Sequence, residues 1–278
     1  MKISKEIINA SLKRLMTIEE YGKVKHDKPY TFEAATSDNS KALLFFGAKH
    51  TAEPNDPMFP HLETSFKNFR PDLVMVEAAP GPKGLTREEF NEGIVSQSVD
   101  EVIKRRGEPG FTIRMAVENG IEWFCPEPDR NDEFQYLLEE GYSQQEIQAW
   151  ALFRNIPVFN KRRGERTFDE FAQSSITHFL EKTGWNLANS IEDIINTGIE
   201  MIGQKVDVEN DMEIHKYINP GEGNKMQKLS KLSWAYRDRA ILENIISQLD
   251  KHNRIFIVYG ASHAVVQEPA LRYLFSTL

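Results

Sequence analysis

Residues 41–57 read KALLFFGAKHTAEPNDP: an apolar run, Leu43-Leu44-Phe45-Phe46, stops at Gly47, and His50 follows three residues later. Residues 254–266, RIFIVYGASHAVV, repeat the pattern, with Ile255 to Tyr259 running into Gly260 and then His263. Continuous rather than alternating apolarity over a short run marks a strand covered on both faces, as in a parallel sheet between helix layers. Two such runs, each closed by Gly-x-x-His, make this an α/β protein with chemistry at its strand ends.

Working outward, DLVMVEA (Asp72 to Ala78) and IEWFCPE (Ile121 to Glu127) read as further strands. YTFEAA (Tyr30 to Ala35) is separated from KALLFFG by the turn-like Ser37-Asp38-Asn39-Ser40, which predicts an antiparallel hairpin at the sheet's entrance. In PMFPHLETSFKNFRPD, Phe59, Leu62, Phe66 and Phe69 recur at helical spacing and the pattern stops at Arg70, before Pro71. GEPGFTIRMAVENGIEW predicts another helix, with Gly120 as its C-cap. From about 132 to 228 the signals are helical, including DEFQYLLEEG, SQQEIQAWALFRN, TFDEFAQSSITHFLEKTG and SIEDIINTGIEMIG, and a long helix follows from about Lys228 to Lys251. The expected architecture is a central, mostly parallel β-sheet flanked by helices, with an N-terminal hairpin and a helical insertion before the last strand.

Composition narrows the function classes. With 34 Lys and Arg against 42 Asp and Glu, the formal charge is −8, the wrong sign for a general nucleic-acid binder. The lone Cys125 forms no internal disulfide, which fits a reducing compartment. Ile3, Ile7, Ile8, Leu12 and Leu15 are interrupted by Lys and Glu, so the start lacks the apolar core of a signal peptide. No run approaches the roughly 18–20 apolar residues of a membrane span. A cytoplasmic protein with neither a membrane nor a nucleic-acid partner is the expectation.

In open α/β sheets, ligands bind beyond the carboxyl ends of the parallel strands. His50, Glu77, Glu127 and His263 each fall at or just past such an end, so four ionisable groups are expected on one rim. Gly47 and Gly260, without a Cβ, let the chain leave the strand sharply and approach a ligand, and with Glu127 they are the candidate substrate-binding positions. A carboxylate ending the buried run of Glu77 needs a partner, since burying it alone costs several kcal/mol. Glu127, in CPEPDR between two prolines, reads more simply as part of a rigid surface turn with a local ion pair beside Asp129 and Arg130. On the long helix, Leu232, Ala235, Tyr236, Leu242, Ile246 and Leu249 form a stripe that includes Arg239, places Asp238 at its margin and turns Arg237 outward.

GAKH, PDLVMVEAAPG, YRDRAILENI and VYGASHAVV, in this order across roughly Tyr30 to Leu278, resemble the TraB/PrgY family with its GumN and TIKI relatives. More distantly the chain is similar to the erythromycin esterase/ChaN-like superfamily. The resemblance implies one domain over residues 1–278, with two pseudo-symmetric halves and an active site at the strand ends. It matches His50 and His263 to the family's histidines, Glu77 to its strand-end glutamate and either Arg237 or Arg239 to its arginine. Arg237 suits the family motif and Arg239 the periodicity.

The chemistry expected is hydrolysis of an amide or ester in a small-molecule or peptide substrate. A neutral histidine accepts a proton from water, Glu77 orients it, and the arginine stabilises the oxyanion. His50, Glu77 and His263 also make a ligand set for Zn, Mn or Co. No Gly-x-Ser-x-Gly elbow is present. The competing class is binding without turnover, of a metal, a peptide or haem, the last with Tyr259 as an available axial ligand.

Overall fold

The computed structural model describes residues 3–77, 86–162, 164, 166–210 and 213–278, the side chains of residues 161 and 162 aside. Ala78, expected at the end of a strand, and the rest of AAPG lie outside them. The chain forms two compact units, Met1–Glu127 with Asp238–Leu278, and Pro128–Arg237. The helical segment between the strands, expected at about 132–228, thus runs from 128 to 237 and is a compact unit in its own right.

The first unit is built on five strands, β1 (Tyr30–Ala35), β2 (Ala42–Ala48), β3 (Leu73–Val76), β4 (Glu122–Phe124) and β5 (Arg254–Gly260). Their order is β1-β2-β5-β3-β4. β1 pairs antiparallel with β2 in the expected hairpin, and every other pairing is parallel. Helices α1 (Lys5–Leu12), α2 (Ile18–Tyr21), α3 (Met58–Phe69), α4 (Arg87–Val95) and α5 (Val99–Glu118) precede or connect these strands. The second unit holds α6 (Arg130–Glu139), α7 (Gln144–Phe153), α8 (Ile156–Arg162), α9 (Phe168–Thr183), α10 (Ile191–Ile202) and α11 (His215–Ile218). Helix α12 (Lys225–Gln248) begins in the second unit and ends in the first, which α13 (Ala261–Thr277) completes.

The apolar runs serve two cores at once. Leu43, Phe45, Leu73, Met75, Ile255, Ile257 and Tyr259 point to the layer that holds Ile241, Ile245 and Leu271 of α12 and α13. Phe46, Val74, Val76, Phe256 and Val258 point to the opposite layer, with Phe59, Phe66 and Phe69 of α3 and Ile103 and Ile113 of α5. Side chains alternate across a strand, so a run apolar at every position is one with a core on each face.

Local signals set the ends. All four aromatic and leucine positions expected on α3 are buried, and Arg70 stops the helix in the left-handed region (φ 52°) before Pro71. Thr86 with Glu89 and Ser98 with Glu101 make reciprocal capping boxes for α4 and α5. Helix α5 is broken at Gly107 (φ 59°, ψ −147°). Pro109 then opens a fresh helical segment where its missing N–H is not needed. Among the described residues no helix is long and apolar enough to cross a membrane.

Helix α12 explains a misreading of the sequence. In the second unit it buries Met226, Leu229, Ser230 and Ser233, and in the first Asp238, Ile241, Leu242, Ile245 and Ile246. Continuing the first stripe would bring position 237 inward, yet the second begins at 238, about 100° further round. The stripe expected from the sequence joined Leu232 and Tyr236, which are only half-buried, and Ala235, which is exposed, to Leu242 and Ile246, and so counted Arg239 inside. Its side chain is instead 63% exposed and pairs with Glu243 at 3.1 Å.

Candidate active site

A loop histidine, a helical histidine and one strand-end carboxylate converge where β2, β3 and β5 end. β2 runs through Gly47 to Ala48, and His50 follows two residues later. Glu77 directly follows β3, its N–H still donating to Val258 O at 3.0 Å, so the pairing with β5 delivers its side chain to the rim. β5 passes into α13 with no intervening loop, and His263 is the third residue of that helix. His50 Nε2 lies 3.8 Å from Glu77 Oε2, and His263 Nε2 lies 3.9 Å from Glu77 Oε1. Positions 50 and 263 thus meet across one carboxylate.

Each imidazole is held from behind by a second carboxylate. His50 Nδ1 is 2.5 Å from Glu108 Oε1, and His263 Nδ1 is 2.8 Å from Asp238 Oδ1. A carboxylate only accepts, so Nδ1 carries the proton in both rings and the two Nε2 atoms face Glu77. Gln267 Nε2 donates to the same Asp238 Oδ1 at 2.9 Å, while Oδ2 is buried with no hydrogen-bond partner among the described residues. Asp238, Gln267 and Glu108 are all buried. A buried carboxylate is tolerable only with such partners.

The two rings differ in environment. His263 is buried, with the Tyr259 ring edge-on at a centroid distance of 5.7 Å. The His50 side chain is 66% exposed. Its pKa is raised above the ordinary histidine value, first by the hydrogen bond to Glu108 and then by the charges of Glu77 and Glu108, with burial and Lys28 opposing. His50 therefore holds its proton to higher pH than a free imidazole.

Glu77 is fixed by the backbone. Gly260 N–H donates to its Oε2 at 2.7 Å, and Gly260 is the N-cap of α13, whose positive end favours a carboxylate there. Gly260 itself has an ordinary φ of −54°, so the expected sharp turn is not what requires glycine. A Cβ there would stand 2.7 Å from His50 Nε2 and 3.4 Å from Glu77 Oε2, so the missing side chain makes room for the site.

Other expected site residues fall elsewhere. Gly47 lies within β2, and a Cβ on it would meet Tyr30 O at 2.6 Å and Ala264 Cβ at 2.8 Å, so it serves the packing of α13 on the sheet and not a ligand. Glu127 sits half-buried three residues beyond β4, which ends at Phe124 and so does not present it at a strand terminus. Arg239 faces outward for the reason given above, and Asp238 enters the site in its place. Arg237 is half-buried and is the last residue of the helical unit. Tyr259, the candidate axial ligand for haem, is fully buried against Phe45, at 6.3 Å between centroids.

Two imidazole nitrogens and a carboxylate are suitable donors for Zn, Mn or Co, and rings whose other nitrogen binds a carboxylate are typical of metal-ligating histidines. Among the described residues no group of three His, Cys, Asp or Glu side chains is already gathered as if around an ion.

Glu108 and Asp238 were not among the expected site residues. Glu108 had a signal, since Gly107-Glu108-Pro109-Gly110 interrupts a helical pattern and so exempts that carboxylate from reading as a solvated helix face. Asp238 was hidden by the phase shift in α12. Comparisons with protein families, with curated proteins and with solved structures return no match for this chain.

Proposed function

We propose that the protein is a hydrolase that cleaves an ester or amide bond with water activated by a histidine. What carries the reading is the doubled arrangement, two carboxylate-held imidazoles whose Nε2 atoms face one glutamate. His263, buried and oriented by Asp238, is the general base. It takes a proton from water at Nε2, and Glu77 orients that water through its remaining lone pairs. The hydroxide oxygen bonds the substrate's carbonyl carbon, whose π electrons move to oxygen. The protonated His50 at the open side neutralises this oxyanion, the role expected of an arginine. On collapse the bond to the leaving group breaks, and His263 returns the proton to the departing alkoxide or amine nitrogen.

A panel of p-nitrophenyl esters and fluorogenic peptides, assayed with the parent and with Glu77→Gln, tests the proposal. We expect turnover of at least one substrate and its loss in the variant, which preserves shape but not charge. Binding without turnover across the panel, or activity indifferent to Glu77→Gln, would reject it.

Two further results are expected. Activity should persist in excess EDTA; loss on chelation with recovery on adding Mn, Co or Zn would recast the imidazoles as ligands. The second concerns pH. If His50 works protonated, the rate falls as pH rises through its raised pKa, giving the alkaline limb of the profile. Glu108→Gln removes the main cause of that raised value, so the limb should move to lower pH; Glu77 and Lys28, the other charges acting on the ring, are unchanged. An upward or absent shift in the pH–rate profile would assign the limb to another group.

A further inference from the structure

A concavity lies wholly within the helical unit. It encloses about 350 Å³ between α6, α7 and α9, within the range of small-molecule sites. Phe134, Ile176 and Phe179 supply an apolar wall from the unit's core, and all three are buried. Arg130, Arg154 and Lys182 also line it, and among the described residues no Asp or Glu does. In a chain of net charge −8, a concavity whose described lining is cations and neutral groups runs against the average field.

The three cations are not equivalent. Arg130 Nη1 is matched by Glu133 Oε2 at 2.9 Å, a carboxylate buried behind it. The Arg154 guanidinium stacks over the Trp150 ring at 4.7 Å, which holds it in place. The lining also includes Gln148, only 2% exposed, whose Oε1 accepts from Asn189 Nδ2 at 3.0 Å. Its Nε2 is buried without a hydrogen-bond partner among the described residues. A buried donor without an acceptor is destabilising, and an arriving acceptor recovers the loss.

We propose that this cleft binds a small amphipathic anion, a carboxylate on a flat apolar body. The ring lies against Phe134, Ile176 and Phe179. The carboxylate accepts from the Gln148 amide and sits in the field of Lys182. Apolar surface alone would take any hydrophobe; the surplus donor and the one-signed charge select an acid.

Calorimetric titration of the full chain with 2-naphthoate and with uncharged 2-naphthylmethanol tests this. The acid should bind with a Kd below about 1 mM, at least about tenfold more tightly than the alcohol, and more weakly as salt is raised. Lys182→Glu and Gln148→Leu should each weaken the acid about fivefold or more, while His50→Ala should leave it unchanged. Lys182 is exposed, so its variant keeps the test valid if Gln148→Leu fails to fold. Equal affinity for acid and alcohol, no binding at millimolar concentration, indifference to Lys182→Glu, or loss in His50→Ala would each overturn the proposal.

Discussion

His263→Ala should lower kcat/KM for any ester or peptide the protein turns over by a factor of about 10²–10⁴, the usual contribution of a positioned general base. The ring is buried and bonded to Asp238 at 2.8 Å, so little else reaches the same point. Asp238→Asn should fall between the parent and His263→Ala, because it keeps the side chain's shape and removes the charge that favours the imidazolium. The double variant should be no worse than His263→Ala alone, since Asp238 acts through the ring and groups that act as a unit are not additive. Steady-state kinetics on the four proteins, with circular dichroism to check folding, decides it. Additive losses would mean that Asp238 contributes by some route other than His263.

The largest stability effect is expected at the centre of the sheet. Phe256 is fully buried on β5, between β2 and β3, and its ring packs on Phe66 and Phe69 of α3 at centroid distances of 5.7 and 6.1 Å. Truncating such a ring removes transfer energy and leaves a cavity, together about 3–5 kcal/mol. Phe256→Ala should therefore lower the melting temperature of the sheet unit by roughly 10 °C, at about 2–4 °C per kcal/mol for a unit of this size. Thermal denaturation followed by near-ultraviolet circular dichroism measures it. A change under about 1 kcal/mol would mean that the layer of α3 is not packed as described.

How much of this could be read beforehand depended on the range of the signal. The strands were legible because each is a local apolar run bounded by turn chemistry, and α3 because Phe59, Leu62, Phe66 and Phe69 repeat without interruption. The hairpin followed from four consecutive turn-forming residues. His50, Glu77 and His263 were placed on one rim because a parallel sheet sends its strand ends to one side, an argument needing topology but no coordinates. Glu108 and Asp238 required more. Each lies on a helix whose regularity fails nearby, at Gly107 in α5 and between positions 233 and 238 in α12, and periodicity assigns a face only while the phase is kept. Gly47 and Gly260 were singled out for backbone freedom next to a ligand, but the reason for glycine is occupied space and not backbone conformation, which a sequence does not display.

The strand order has a consequence for synthesis. β5 lies between β2 and β3, although Gly260 and the Glu77 it contacts are 183 positions apart. A nascent chain that has emerged only through α5 holds two parallel strands with nothing to bridge them, and their unpaired edges are open to other chains. Such a chain also lacks His263 and its glutamine and aspartate props, so it holds only half of the candidate site. Assembly of the sheet and completion of that site are then a single late event.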